Sequence, residues 1–313
     1  MSAAFTAKRL LRSFQQARRA KSLYQKIREY RPFVEVRYET EDFLVTTAGS
    51  GRDLLQALEL RHEIFIEEWQ GRREPSGLDV DEYDFRADHL IIIDKSASAL
   101  VGTYRLLSSH FTHDFYSSSE FRLGRFLSGP EVKLEMGRAC IRAGFRTGVT
   151  IDLLWRGLVQ YILKTNTRFL FGCSSVRSTD AALVSSLYRT MAEEGRWSDE
   201  YAIRPTRDYE FPGFAAEAAS VLGAAERREW MPPLLRSYLN AGAKVYGAPA
   251  LDREFECVDL LTILDWRALN PRFHARFMDS SVIPAGPLDE SLLNAPWKRK
   301  LLLFPRPWRG NRE

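Results

Sequence analysis

The chain has 313 residues, of which 45% are hydrophobic and 27% charged, and its formal net charge is +4. This composition excludes an intrinsically disordered chain, and the length predicts one large domain or a domain with appendages. Its cysteines, Cys140, Cys173 and Cys257, lie far apart without CxxC or Cys/His ligand spacing. We therefore expect reduced, buried thiols in a cytoplasmic protein, without a metal site. A membrane span is not expected, because no apolar run approaches about 20 residues.

The positive charge is concentrated in a predicted N-terminal arm, residues 1–31. That segment holds nine Lys/Arg and one acid, a local charge of +8, so the rest of the chain carries −4. Apolar residues recur in it at helical spacing from Leu10 to Ile27, before Pro32 ends the pattern. Such a basic amphipathic helix either contacts an anionic membrane, peripherally at its inner face, or packs on the domain with its cations in solvent. Nucleic acid is not an expected partner, because no recognised nucleic-acid module accompanies the charge.

Downstream of the arm, the hydrophobic pattern alternates between the strand period and the helix period. Strands are predicted at Phe43–Thr47, His89–Asp94, Leu100–Leu107, Val132–Ile141, Arg168–Ser174, Lys244–Tyr246 and Cys257–Leu264. Helices are predicted at Asp53–Trp69, Phe115–Phe126, Ile151–Leu163, Ala181–Glu193, Pro232–Asn240 and Trp266–Phe277. The turn at 95–98 predicts an antiparallel hairpin, and the βαβα run at 132–193 predicts a parallel crossover.

This order of elements predicts an α/β domain over residues 32–283, with helices on a mixed sheet of about seven strands. A basic and apolar tail, residues 284–313, follows the domain. The tail either docks on a membrane or packs over the sheet, and its composition does not decide between the two.

Two histidine-containing strings are weak candidates for chemistry. The string from His89 to Asp94 matches the HxxxxD motif of glycerolipid acyltransferases, but strand side chains five residues apart point to opposite faces and lie roughly 16 Å apart. His110 and His113 have no third ligand nearby and lie in a Ser/Thr-rich segment, which favours a solvated loop. The chain has no GxSxG, Walker or GxGxxG motif, so neither covalent serine catalysis nor nucleotide hydrolysis is supported.

Acidic side chains suited to amine acylation lie between residues 81 and 135. An ammonium group attacks a thioester only after a carboxylate removes its proton, directly or through one water. Glu135, in the middle of a predicted strand, is the first candidate for that base. Asp81 and Asp84, on the preceding loop, are candidates to hold the ammonium or relay the proton. The alternative is structural: Glu135 pairs with Arg138, since charges in an apolar strand need a partner, and the two aspartates decorate a loop.

The same region offers groups for the other end of the acceptor and for the thioester oxygen. A guanidinium fork binds a carboxylate in a bidentate manner, so Arg61, Arg105 or Arg138 would hold the acceptor's carboxylate or, equally, organise the acidic loop by ion pairing. A strand bulge from Gly137 to Ala139 would direct backbone N–H groups at the developing oxyanion. Close packing is an equally good reason for the glycine.

Five short clusters carry a family resemblance. They are Arg61-x3-Phe65-x3-Trp69, Asp81-Glu82-Tyr83-Asp84, Gly102-Thr103-Tyr104-Arg105, Phe115-Tyr116 and Glu135-Met136-Gly137-Arg138. In order and spacing, the chain resembles the acyl-carrier-protein-dependent GNAT acyltransferases, which include acyl-homoserine lactone synthases and the N-acyltransferases of ornithine lipid and related aminolipids. The resemblance implies a GNAT-type, mostly antiparallel sheet. It also implies catalytic roles for Glu135, Asp81 and Asp84, and substrate-binding roles for Arg61, Phe65, Trp69, Arg105 and Arg138.

A later block, from Tyr238 to Asp259, resembles the aminolipid acyltransferases and not the shorter lactone synthases. It implies transfer of a long, 3-hydroxylated acyl chain to the α-amine of an amino acid, with ornithine as the first candidate. The implied donor is the phosphopantetheine thioester of acyl carrier protein, and no bound cofactor is expected. Acylation of glycine or another amine, lactone synthesis, an ordinary acetyl-CoA transferase and a non-catalytic membrane-associated protein on the same fold are the alternatives.

Donor choice also follows from the residues after the predicted strand. Acetyl-CoA enzymes cradle the pyrophosphate in a glycine-rich loop at a helix N-terminus, whereas residues 142–148 have glycines in the wrong register. This departure favours an acidic carrier protein as donor. The residues predicted to steer the carrier protein are Arg142, Arg146 and Arg156, with Lys164 and Arg168 nearby. The alternative is that these residues form only a solvated basic face.

Overall fold

The computed structural model describes residues 21–73 and 75–278. These residues divide into two compact units. Unit 1 contains the described residues up to Arg105 together with Arg138–Thr150, and unit 2 contains Leu106–Gly137 and the described residues from Ile151 onward. The first part of the predicted arm and the whole predicted tail lie outside the described residues. Within the described part of the chain, no helix has the length and hydropathy needed to cross a bilayer.

Unit 1 combines short helices with antiparallel strands. Its elements are α1 (residues 21–29), β1 (Arg37–Glu39), β2 (Phe43–Thr47), α2 (Gly51–Arg61) continuing as a π-helix (His62–Trp69), a 3₁₀-helix (Glu82–Arg86), β3 (Asp88–Asp94), most of β4 (Ala99–Ser108), and a 3₁₀-helix (Ala143–Phe145). Strand β2 pairs antiparallel with both β1 and β3. Helix α2 begins at Ser50, whose side chain accepts a hydrogen bond from the backbone N–H of Asp53.

Unit 2 alternates helices and strands. Its elements are α3 (Ser117–Glu120), β5 (Phe121–Arg122), α4 (Gly124–Leu127), the first half of β6 (Lys133–Ile141), most of α5 (Gly148–Thr165), β7 (Phe169–Val176), α6 (Ala181–Glu193), β8 (Trp197–Ser198), β9 (Arg204–Pro205), α7 (Ala224–Trp230), α8 (Pro233–Ala241), β10 (Lys244–Tyr246), β11 (Ala250–Asp252), β12 (Cys257–Asp265) and α9 (Pro271–Phe277), with 3₁₀-helices at Arg207–Tyr209, Ala216–Ala218 and Trp266–Ala268.

The strand pairing in unit 2 is mixed. Strands β6 and β7 are parallel and are joined through α5, which confirms the predicted crossover. Strand β12 pairs antiparallel with β7, β10 and β11. Helix α6 has the predicted bounds, because Asp180 caps its first turn. The α/β prediction of a mixed, mostly antiparallel sheet flanked by helices is thus confirmed.

The helix predicted at Phe115–Phe126 is wrong as a continuous element. The structure divides this segment into α3, β5 and α4. Serine has a modest helix propensity and glycine a poor one, so the serine run before Glu120 and Gly124 weaken the continuous helix. Phe121 instead pairs with Pro205 of β9.

The helix predicted at Trp266–Phe277 is also interrupted. Trp266–Ala268 forms a 3₁₀-turn, and α9 begins only at Pro271, because the residue before a proline is disfavoured in the helical conformation. The described residues contain twelve strands where about seven were predicted. The five unpredicted ones, β1, β5, β8, β9 and β11, have only two or three residues, too few to show a periodicity.

Gly172 allows β7 to approach β6 closely. A Cβ atom at this position would lie 2.2 Å from the carbonyl oxygen of Met136, so Gly172→Ala forces backbone to move. We expect the substitution to lower the free energy of unfolding by about 1–3 kcal/mol, measured by urea denaturation. Gly124→Ala in the same unit is the matched control, because no heavy atom lies within 4 Å of its added Cβ. Equal denaturation midpoints for the two variants would contradict this reading of the contact.

Candidate active site

An arginine at the end of α2 organises the acids of unit 1. The Arg61 side chain is fully buried. Its Nε donates to Asp79 Oδ2 at 2.8 Å, and its terminal nitrogens donate to the two oxygens of Asp84 at 2.5 and 3.3 Å. The guanidinium fork is thus occupied by two carboxylates of the protein itself. This geometry fits the ion-pairing alternative for Arg61.

Asp81 and Asp84 begin the 3₁₀-helix Glu82–Arg86. Asp81 accepts from the N–H of Tyr83 at 2.9 Å, and Asp84 accepts from the N–H of Asp81 at 2.8 Å, a reciprocal capping arrangement. Arg105 from β4 donates to both oxygens of Asp81 at 2.7 and 2.6 Å and to Asp84 at 3.2 Å. The two aspartates therefore shape the loop and bind arginine at the same time.

Electrostatics keep this network charged despite its burial. Burial alone would raise the pKa of Asp84, but the guanidinium groups of Arg61 and Arg105 outweigh it and hold that pKa well below its ordinary value. Arg61 in the same way outweighs burial and lowers the pKa of Asp79. His89, which hydrogen-bonds the carbonyl of Asp84 at 3.0 Å, is neutral at pH 7, because burial lowers its pKa to about 4. The HxxxxD string thus contributes a buried histidine to the network.

Arg138 differs from the other two arginines. Its Nε lies 3.4 Å from Asp79 and a terminal nitrogen 3.7 Å from Asp81, and the side chain is 17% exposed. Its backbone has a φ of +53°, in the left-handed region that non-glycine residues rarely adopt. This conformation occurs within the Gly137–Ala139 segment in which the sequence predicts a bulge. Arg138 is therefore the most accessible guanidinium of the network.

Phe65 and Trp69 lie on the π-helix that continues α2. Their ring centroids are 5.9 Å apart, with Phe65 buried and Trp69 partly exposed. A π-helix adds a residue to the turn and is frequent at functional sites. The predicted aromatic pair is thus brought together on one element of unit 1.

Glu135 lies in unit 2, on β6, and is only 2% exposed. Its two carboxylate oxygens accept hydrogen bonds from the backbone N–H groups of Tyr116 and Ser117, at 2.8 and 2.6 Å. The carboxylate thereby fixes the start of α3. The same contacts bring the Tyr116 and Glu135 sequence clusters together in the structure.

The arginines predicted to contact a carrier protein each have an acidic partner. In unit 1, Arg142 donates to Glu63 at 3.0 Å and Arg146 binds both oxygens of Glu68 at 2.6 Å. In unit 2, Arg156 donates to Asp152 at 2.8 Å, and Arg168 bridges Glu131 and Asp265. Arg142 and Arg146 remain half-exposed, so their predicted role stays a prediction.

A second acidic group was not found from the sequence. Unit 2 contains three buried acids, Glu120, Asp252 and Asp259. The buried Cys257 and the partly exposed Cys173 lie beside them. Sequence analysis treated the cysteines as structural thiols, and indeed burial raises the pKa of Cys140 to about 12. The one feature of the sequence that could have indicated this group is Asp259, a charged residue within an apolar strand.

The acid and arginine network of unit 1 and Glu135 lie within one recognised domain, whereas the second acidic group shares only Glu120 with it. A model of the acetyltransferase (GNAT) domain matches residues 60–156, which include the whole acid and arginine network and Glu135. The fold and site therefore define an acyltransferase of the GNAT class.

Curated relatives place the chain more narrowly. It is 32% identical over 248 residues to an L-ornithine N(alpha)-acyltransferase of Rhizobium meliloti, covering 72% of this chain and 81% of the relative. A protein of the same name from Agrobacterium fabrum is 29% identical, covering 72% of this chain and 82% of the relative. The AHL synthase LasI, a solved structure, is 13% identical with a TM-score of 0.43, covering 76% of this chain and 95% of LasI. The chain belongs to the family of these L-ornithine N(alpha)-acyltransferases.

Proposed function

We propose that this chain transfers a long, 3-hydroxylated acyl group from acyl carrier protein to the α-amine of L-ornithine, forming a lyso-aminolipid. The names and coverage of the curated relatives support ornithine as acceptor. The observation that carries the chemistry is Glu135, a buried carboxylate oriented by two backbone N–H groups. A carboxylate fixed in this way is suited to accept the proton of an ammonium group.

The proposed reaction begins with the acceptor as an ammonium ion. Glu135, directly or through one water, takes a proton from it, and the nitrogen lone pair attacks the thioester carbonyl. An N–C bond forms as the carbonyl oxygen becomes an oxyanion, and the C–S bond then breaks. The phosphopantetheine leaves as a thiolate, and the second proton of the attacking nitrogen passes to solvent.

The arginines take different roles in this proposal. Arg138, the most exposed guanidinium of the network, is the best candidate for the acceptor's carboxylate. Arg61 and Arg105 are engaged with Asp79, Asp81 and Asp84, and their role is to hold the acidic loop in one conformation. The N–H groups around Gly137 and Ala139 are the candidates for stabilising the oxyanion.

Acyl carrier protein is the proposed donor because the loop after β6 lacks the glycine register of acetyl-CoA enzymes. The half-exposed Arg142 and Arg146, with Arg156, are the residues proposed to contact it. The product is amphiphilic, and the basic segment 1–31 would suit peripheral attachment to an anionic membrane at its cytoplasmic face.

A reconstituted reaction tests the proposal. Purified protein is incubated with 3-hydroxyacyl carrier protein and L-ornithine, and the product is identified by mass spectrometry. We expect N-acyl-ornithine, with much less product when acyl-CoA or an unsubstituted acyl chain replaces the donor. Product with glycine but not with ornithine would overturn the acceptor, and equal rates with acyl-CoA would overturn the donor. No acylated amine from folded protein would overturn the proposal as a whole.

A further inference from the structure

The strand register of unit 2 places Glu135 and several acids on one face of the sheet. Glu135 is opposite Phe171 in the parallel pair of β6 and β7, and Asp259 of β12 is opposite Ser175 of β7. Opposed residues share a face, and side chains alternate along each strand, so Phe171, Cys173 and Ser175 point the same way. Asp252 of β11, opposite Cys257, extends this face.

Glu120 of α3 lies against this face. One carboxylate oxygen of Glu120, the Cys173 sulfur and one oxygen of Asp259 all lie within 4.8 Å of one another, as do ligand atoms of Asp252, Cys257 and Asp259. We call Glu120, Asp252 and Asp259 the unit 2 acidic cluster. Asp259 thus lies close to two other buried carboxylates, and protons or a cation stabilise such a group, because the charges repel and are removed from water.

One oxygen of this cluster lacks a partner among the described residues. Glu120 is fully buried, its Oε2 accepts from the Cys173 thiol at 3.3 Å, and its Oε1 accepts no hydrogen bond. None of the ion pairs found in the described residues includes Glu120 or Asp252. In unit 1, by contrast, each aspartate of the network binds an arginine.

We propose that the unit 2 acidic cluster binds the side-chain ammonium of the acceptor amino acid and thereby selects a basic acceptor. This inference rests on the proposed function and extends it to the residues that set specificity. An ammonium has three donors in a compact charge, which suits several carboxylate oxygens converging on one point. Asp259 also receives the Ser175 hydroxyl at 2.6 Å, which orients it.

The position of the cluster relative to Glu135 suits an acceptor with two amino groups. The N–H of Ser117 donates to Glu135, while the Cys173 sulfur lies 3.4 Å from the Ser117 hydroxyl oxygen and 3.3 Å from Glu120 Oε2. Ser117 and Glu120 are the first and last residues of α3, about 4.5 Å apart along a helix axis at ~1.5 Å per residue. In the proposed complex, a short alkyl chain would join an α-amine near Glu135 to a terminal amine at Glu120.

A proton on Glu120 relieves the repulsion within the cluster. Burial, with the nearby charge of Asp259, raises the pKa of Glu120 to about 9, so this group is protonated at neutral pH. The titratable groups that face it from the neighbouring elements are Asp252, Asp259, Cys173, Cys257 and Tyr209. The pKa values of both thiols and of Tyr209 are raised, so none of these three is a charged partner at pH 7. A bound ammonium would displace the Glu120 proton.

Acceptor selectivity tests the inference. We compare kcat/KM for L-ornithine and for L-norvaline, which has the same carbon chain without the terminal amine, in wild type, Glu120→Gln and Asp259→Asn. The preference for ornithine is expected to fall roughly 10–100-fold in each variant, because each loses a hydrogen bond to a charged group. The change should appear as a higher KM for ornithine, whereas the kinetics with norvaline stay constant. Glu254→Gln, an exposed acid between β11 and β12, is the matched control.

The outcomes separate this inference from the proposed function. Wild-type acylation of ornithine with an unchanged preference in both variants would overturn the inference alone, whereas no acylation of any amine would overturn the proposed function. If the variants do not fold, titration calorimetry of the wild-type protein in buffers of different ionisation enthalpy measures the number of protons released on binding. We expect ornithine to release protons on binding at pH 7 and norvaline to release none. Stoichiometric zinc or another divalent metal in the purified protein would also overturn the inference.

Discussion

Glu135→Gln is expected to lower kcat for acyl transfer roughly 10²–10⁴-fold, the range for loss of a general base. Glutamine keeps the size of the side chain but removes the group that accepts the acceptor's proton. The loss should appear in single-turnover measurements of amide formation with acyl carrier protein as donor. Glu217→Gln, an exposed acid in the same unit, is the matched control and should retain wild-type kcat.

A structural role for Glu135 has to be separated from this catalytic one. Both carboxylate oxygens accept backbone N–H bonds, and a glutamine amide would direct its own N–H₂ at one of those donors. The free energy of unfolding is therefore measured beside kcat, and Glu135→Asp is added to keep the charge one methylene further back. Folded Glu135→Gln with wild-type kcat would remove this residue from the mechanism. Lost stability with normal kcat below the melting point would leave it only as the residue that fixes α3.

The fold was predictable where elements are long and their period is clear. Helix α6 and strand β2 have the predicted bounds, since Asp180 caps the first and alternating burial marks the second. The segment before β6 was not predictable in the same way. Phe115–Phe126 has enough apolar residues for a helix, but residues outside the segment also act on it: Glu135 binds the N–H groups of Tyr116 and Ser117, and Pro205 pairs with Phe121.

The two acidic groups differ in how far sequence analysis reached. Most acids and arginines of unit 1 occur in short sequence clusters, so these clusters were visible. Which arginine binds which aspartate was not, because Arg61 and Arg138 reach Asp79 from distant segments. The unit 2 acidic cluster comes from α3, β11 and β12, and strand register together with the packing of α3 brings it together. An isolated aspartate in an apolar strand is the one local sign of such a cluster.

The buried pairing of Arg61 leads to the largest expected effect on stability. Arg61→Met removes a fully buried cation that bonds Asp79 and Asp84, and Asp84 then depends on Arg105 alone. Breaking a buried ion pair from one side costs about 3–5 kcal/mol of unfolding free energy. Urea denaturation at pH 7 measures this loss. Arg37→Met, which breaks an exposed pair with Glu39, is the control and should cost at most about 1 kcal/mol.

The pH dependence of the same comparison identifies the cause of the loss. The folded-state pKa of Asp84 is depressed, because Arg61 and Arg105 outweigh the effect of burial. The ionised Asp84 therefore contributes fully to the free energy of unfolding above its unfolded-state pKa of about 4, and this contribution is lost as pH falls toward the folded-state pKa. The stability difference between wild type and Arg61→Met should therefore be constant from pH 5 to 7 and shrink below about pH 4. Adding Asp84→Asn to Arg61→Met should restore part of the stability, since no buried charge is then left with a single cation. A difference that does not change with pH, and no recovery in the double variant, would mean that Arg61 stabilises unit 1 through packing of its alkyl chain and not through charge.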